Sequence, residues 1–591
     1  MHKPIPIEIA PGIYTEHTAR GSLRRWRDGD HVRFFNGLPQ KIGGWKLATA
    51  DQVVGKARGV IDWQTLSVEK LRGIGTHLKL YVESGGDFFD ITPLRDSGTL
   101  GTDPFTTTDT EVTVSVAHTS HGLSEGDYVH YSGAAAVGGI TIDGEYTVTS
   151  VTDSDNYVIT HSAAATSSAT GGGATVDYEY EIPIGSGDTF GLYGFGTGTF
   201  GTGTFGTART ATTLLNLARI WSFAQWGEDL IANPRGGGIY AWDASVGTGT
   251  RAAVISGAPS TAKAIILSPE NRHLIALGAH DGSNDDPMLI RWASAEDYTD
   301  WTPSATNTAG DKRLDDGTEI YCGVPTDREI GVFTNSAFYS MVFEGPPYQF
   351  NIQRRGSCGG IMGPNAAKEH DGRIWWMGEA DFMVYDGRVR KLPCDVWSHV
   401  FKDFNTAQKA KVFAGANRGF GELWWLYPSA DSSECDLYVL YNVNDNTWAF
   451  GTLDRTVLVG DSDIFDEVYA LSPDGELFNH EQGVDDDGAA LPSYIESYDF
   501  DANNGSVLML LEKFLPDFAR LIGSISVTLK GRKYPHSSQV TKGPQAMTSA
   551  TEYVGARMRA RQISLRLETT DAGDDWRIGT LRVTCRPLGK R

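Results

Sequence analysis

Cysteine is scarce in this chain. Its 591 residues hold five thiols (Cys322, Cys358, Cys394, Cys435, Cys585), an odd number with no CxxC spacing. That excludes a disulfide framework and fits synthesis in a reducing compartment. Long apolar runs are missing too. No stretch of about 18 apolar residues is present, so no membrane anchor is expected, and Met1-His2-Lys3-Pro4-Ile5-Pro6 lacks the apolar core of a secretory leader. Positive charge is short as well, with 51 Lys and Arg against 74 Asp and Glu for a net charge of −23.

The deficit is uneven. Residues 1–60 hold ten cations against five acids and residues 500–591 hold fifteen against eight, so the stretch between them carries all of the negative excess. An acidic body with basic ends repels nucleic acid through the body and offers its ends to acidic partners. The plainer reading is solubility. No basic recognition motif is present, so sequence-specific DNA binding is not expected.

What the chain has in plenty is glycine, 69 residues, among runs rich in Thr, Tyr, Trp and Phe. These favour strands joined by tight turns. One hairpin recurs at intervals of about 40 to 54 residues. Clear copies pair Leu230 to Asn233 with Ile239 to Asp243, Ile374 to Met377 with Phe382 to Asp386, and Val468 to Leu471 with Leu477 to Asn479. Others begin at Met288, Phe338 and Asp436, and an earlier one runs from Leu71 to Val82. This is the mark of propeller blades. The predicted fold is all-β: a β-propeller core, an inserted small β-domain and a C-terminal β-sandwich.

The predicted boundaries are an N-terminal segment with the first propeller hairpin (1–104), an inserted barrel or sandwich (105–181), a Gly/Thr/Phe low-complexity loop (182–211), the blade series (212–484) and the terminal sandwich (485–591). In the loop Phe190, Phe195, Phe200 and Phe205 recur every five residues, a period of neither helix nor single-faced strand. Its Gly196-Thr197-Gly198 has no strand and helix around it to make a phosphate cradle. Trp375-Trp376 and Trp424-Trp425 put consecutive indoles on opposite faces of a strand.

Catalytic patterns are weak. Gly356-Ser357-Cys358-Gly359-Gly360 lacks the Gly-x-Ser-x-Gly spacing and identifiable His and Asp partners. The acid pairs Asp285-Asp286, Asp315-Asp316 and Asp461/Asp463 suit a glycosidase or calcium, but acidic turns explain them equally. His118, His121, His130 and His161 lack supporting ligands for a metal. No catalytic, cofactor or metal residue is assigned. Five arginines, Arg20, Arg24, Arg25, Arg27 and Arg33, crowd fourteen residues and form the candidate docking site for an acidic neighbour.

Several stretches resemble the tail hub or nozzle proteins of short-tailed bacteriophages, the packaged-DNA stabilisation proteins among them. They are Trp26 to Trp45, Asp90-Ile91-Thr92-Pro93, the Gly-Phe-Gly-Thr run, Asp403-Phe404-Asn405 leading into Val412-Phe413-Ala414-Gly415, Glu422 to Pro428, and Trp576-Arg577-Ile578-Gly579. The segment from His121 to Asp127 onward is similar to a small β-module carried by phage structural proteins. The resemblance implies a non-enzymatic virion protein, made in the host cytoplasm and built into the tail as a ring of six copies. That ring would continue the DNA channel below the portal, retain the packaged genome and take part in its ejection. Its implied partners are copies of itself, the tail adaptor ring, tail fibres or tailspikes, and genomic DNA passing without sequence-specific binding. No cofactor is implied. The competing classes are a tail propeller that binds or cleaves glycan and a baseplate component of a long-tailed phage.

Overall fold

The computed structural model describes residues 4–16, 22, 24–191, 215–501, 507–534 and 537–589. Among them, seven four-stranded antiparallel sheets follow one another along the chain. Their first strands, Ala57–Gln64, Trp221–Trp226, Ala264–Leu267, Ile320–Pro325, Ala367–His370, Phe413–Asn417 and Val457–Val459, each touch the next, and the last touches the first. This closed circle is a seven-bladed propeller. Each hairpin copy read from the sequence is the second and third strand of one blade.

The blades stack through aromatic residues and close backbone approach. Trp376 lies 5.1 Å from Phe333 of blade 4, while Trp375 turns to Tyr441 of blade 6 at 5.8 Å. Both indoles of each Trp-Trp pair are buried, because a blade in mid-ring has a neighbour on either face. Glycine is required where an indole meets backbone: a Cβ on Gly75 of blade 1 would sit 2.3 Å from the Trp221 ring of blade 2.

Blade 7 takes its outermost strand from far upstream. Trp45–Gln52 pairs antiparallel with Glu476–His480, so the N-terminal region closes the ring. This corrects the reading of 1–104 as one unit with the first blade. The strands before it belong elsewhere again: Ile5–Pro6 pairs with Arg582 and Val583, Arg25–Asp30 with Ser493–Ser497, and Gln40 with Arg577. The C-terminal sandwich is therefore shared between both chain ends rather than confined to 485–591. Its core is continuous with that of blades 4 to 7 through Trp26, Val32 and Phe34.

The inserted domain begins at Leu94, not 105, because Leu94–Thr99 pairs with Asp177–Glu181. Its eight strands form one curled sheet around a separate core that includes Phe105, Tyr131, Tyr157 and Tyr180. Of the low-complexity loop, 192–211 lies outside the described residues, with Phe195, Phe200 and Phe205 in it. Phe190–Gly191 pairs with Leu215–Asn216.

Trp45 is 5% exposed and donates its indole N–H to Asp486. Trp45→Ala is expected to lower stability by about 3–5 kcal/mol, measured by urea unfolding, because it empties a core site and loosens the closing strand. Excision of 95–180, joined by two glycines, is expected to leave a soluble propeller that unfolds in one transition by circular dichroism. The two junctions are already ladder partners, so the shorter loop closes without strain.

Candidate functional site

The first strands of the blades enclose an axial cavity of about 500 Å³ lined by Gly59, Trp221, Phe223, Ile265, Gly323 and Phe413 among others. Side chains cross it near one mouth. Asn365 of blade 5 donates its amide N–H to the Arg58 carbonyl of blade 1 at 3.2 Å, and Arg235 of blade 2 donates to the Tyr321 carbonyl of blade 4 at 2.6 Å. Glu434 of blade 6 accepts from Arg58 at 2.7 Å and from Lys56 at 3.0 Å. Burial opposes ionisation of Glu434, but Arg58 and Lys411 outweigh it and hold the carboxylate at about 2. His77, close to the same cations, is pushed down to about 4 by burial and then by Arg58 and Lys56, so it is neutral here.

The chain leaving the inserted domain lies across this mouth as a strap. Gly185 N–H donates to the His77 carbonyl at 2.8 Å, and Arg58 donates to the Gly187 carbonyl at 3.2 Å. Thr189 and the Gln408 amide exchange two hydrogen bonds at 3.0 and 2.8 Å, while Lys411 pairs with Asp188. The strap thus ties blade 1 to the segment that leads into blade 6.

A second charged cluster joins the inserted domain to the propeller. Lys79 of blade 1, 2% exposed, sits among Asp90, Glu145 and Glu181, and Arg251 of blade 2 reaches Asp90 and Glu181, both at 2.8 Å. The three carboxylates lie close enough to grip a metal ion, but the Lys79 ammonium occupies their centre. Three acids face two cations. Asp90 stays below the usual carboxylate range because Lys79 and Arg251 outweigh its burial. Glu181 carries the excess, raised to about 7 by burial and then by Asp90.

The candidate docking arginines divide. Arg20 lies outside the described residues. Arg24 is exposed and 3.8 Å from Glu8, Arg25 rests 5.3 Å from the Tyr14 ring, and Arg27 pairs with Glu496 at 3.6 Å. Arg33 does not belong with them. It is wholly buried, 3.1 Å from Glu422 of blade 6, bonded to Glu481 at the end of blade 7, and stacked 3.8 Å over Phe420. The alternation of Val32–Phe35 in a strand walled on both sides turns this arginine into the joint between the N-terminal hairpin and two blades. Sequence reasoning grouped it by proximity along the chain, and missed Glu422 and Glu481 because nothing local marks a contact across 400 residues.

The other suspected chemistry is occupied by structural partners. The Cys358 thiol is buried, donates to the Thr334 carbonyl at 3.3 Å and is raised by burial, which disfavours a nucleophilic thiolate. Asp286 pairs with Arg313, Asp316 with Arg354, Asp461 with Lys368 and Asp463 with Arg418. His118 bonds the Tyr180 hydroxyl and His121 the Asp153 carbonyl, so the histidines do not converge.

No protein-family model and no curated protein matches this chain. Solved structures that resemble it include the AfRom2 CNH domain (11% identity over 58% of this chain and 93% of that one, TM-score 0.26) and the N-terminal domain of Nup159 (10%, 47% and 79%, TM-score 0.25). Another is PorZ, a bacterial surface component of the type-IX secretion system of Porphyromonas gingivalis (10%, 90% and 82%, TM-score 0.29). Likeness at this level carries no functional argument.

Two predictions separate structural from functional roles here. Arg33→Met strands Glu422 and Glu481 without their cation, so stability is expected to fall by about 3–5 kcal/mol in urea unfolding, where a docking residue would leave it unchanged. For Glu181 the folded value lies above the ordinary carboxylate value, so its contribution to stability is full below about pH 4.5 and is lost as pH rises through about 7. Glu181→Gln is expected to flatten that part of the profile of melting temperature against pH.

Proposed function

We propose that this chain is a non-enzymatic structural subunit of a short-tailed phage virion, a tail hub or nozzle ring that continues the DNA path below the portal and adaptor. The observation that carries the reading is where the phage-like stretches meet. Trp26 to Trp45, Glu422 to Pro428 and Trp576 to Gly579 are far apart in sequence, yet Arg33 pairs with Glu422 and Arg577 donates to the Phe35 carbonyl at 3.0 Å. Three of the six resembling stretches therefore meet at one joint of the architecture.

In this reading the DNA passage runs between copies, because Asn365 and Arg235 link blades near one mouth of an axial cavity of only about 500 Å³. Six acidic bodies around such a passage repel the duplex and keep it sliding, with screening over about 8 Å at physiological salt. Arg24 and Arg25 remain the residues offered to an acidic neighbour such as the adaptor ring. Arg27 is engaged with Glu496 and contributes less.

Imaging of purified particles tests the proposal: a ring of this chain on the tail axis is expected. Its absence from particles, or cleavage of host polysaccharide by the pure protein, would overturn it. Arg24→Glu with Arg25→Glu is expected to lower incorporation into particles at unchanged melting temperature, and undiminished incorporation would remove the docking role.

A further inference from the structure

The two ends of the charge distribution fall on two surfaces that do not meet within one chain. The inserted domain, residues 94–181, carries thirteen carboxylates and a single cation, Arg95. Asp103, Asp109, Glu111, Asp153 and Asp155 are all exposed on it. The opposite charge lies on one sheet of the C-terminal domain, formed by Ile5–Pro6, Arg582–Pro587, Met509–Leu515 and Val554–Ala560.

Val554–Ala560 alternates buried and exposed residues, which turns Arg557 and Arg559 outward while Val554, Ala556, Met558 and Ala560 enter the core. Arg559 and Arg586 lie directly across from Leu510, one on each side, so they flank it on the outer face about 10 Å apart. Lys513 and Arg582 extend the same face. Glu512 is its one acid, 3.9 Å from Arg586. Among the described residues the inserted domain has no substantial contact with this sheet, and it joins the propeller through the Lys79 and Arg251 cluster.

We infer that the basic sheet face of one copy receives the acidic inserted domain of the next. The inference rests on the ring reading and supplies its interface. Each copy carries one plug and one socket, two different surfaces, so the contact is head-to-tail, and repetition of such a contact closes a ring when its rotation allows. Charge complementarity favours this occupant over nucleic acid. The matching surface is present on every copy at equal number and on a folded domain whose carboxylates are held in fixed positions.

The test uses the full chain in sedimentation velocity at about 0.1 M and about 1 M salt, where the screening length falls from about 10 Å to about 3 Å. Assembly is expected at low salt and dissociation at high salt. Arg559→Glu with Arg586→Glu, or Asp109→Lys with Glu111→Lys, is expected to weaken assembly by more than about tenfold, and a chain carrying all four reversals is expected to regain it. Arg559→Lys with Arg586→Lys keeps the charge and should assemble as the parent does. Matched circular dichroism melts establish that each variant is folded. Monomers at every salt concentration, single reversals that assemble like the parent, or a fourfold variant that stays monomeric would overturn the inference. So would salt-sensitive binding of a labelled DNA duplex that is lost with Arg559→Glu and Arg586→Glu while assembly is untouched. A ring indifferent to these charges sinks the interface and leaves the nozzle reading standing; particles that lack the protein do the reverse.

Discussion

The antiparallel ladder between Trp45–Gln52 and Glu476–His480 is the constraint on which the rest of this molecule depends. A propeller is a sheet series that must return to its start, and any open blade leaves a row of unpaired backbone groups. Here the return is made by a strand more than 400 residues upstream of its partner, and the chain beyond each end of that ladder is then used again. The N-terminal strands enter the C-terminal sheets, so the two termini are knitted into one body with the last blades. Arg33 stands at that crossing between Glu422 and Glu481.

Buried charge serves connection throughout. Arg33 joins the hairpin to blades 6 and 7, Lys79 and Arg251 join the inserted domain to blades 1 and 2, and Arg58 and Lys411 hold the strap. Each such pair loses solvation on burial and regains it only when every partner is placed. Removal of one member is therefore far more damaging than its absence from an apolar design would be. These joints set orientation between parts.

Blade strands were legible in the sequence, though not their number, because a repeated hairpin writes its own periodicity: Leu71, Leu230 and Val468 sit in equivalent strands of different blades. Closure was not, since Trp45 to Gln52 carries no local sign of the partner it finds at the other end of the chain. Alternation marks the inserted domain but not its start, because Leu94 to Thr99 pairs with a strand on the far side of the domain. The basic cluster was visible as composition. Its division into exposed Arg24 and buried Arg33 depends on which walls surround each strand, and a single sequence does not state that.

The pairing of Leu94 with Glu181 gives the inserted domain a life of its own during synthesis. All of its core contacts are made within 94–181, so it can finish folding at the ribosome while six of the seven blades are still unmade. The propeller must wait for blade 7 before its first-made strand at Trp45 has anything to pair with. During that wait a highly acidic, already compact body travels beside a chain full of exposed strand edges. Its charge is then a guard against aggregation of the unfinished protein, whatever it later contacts in the finished one.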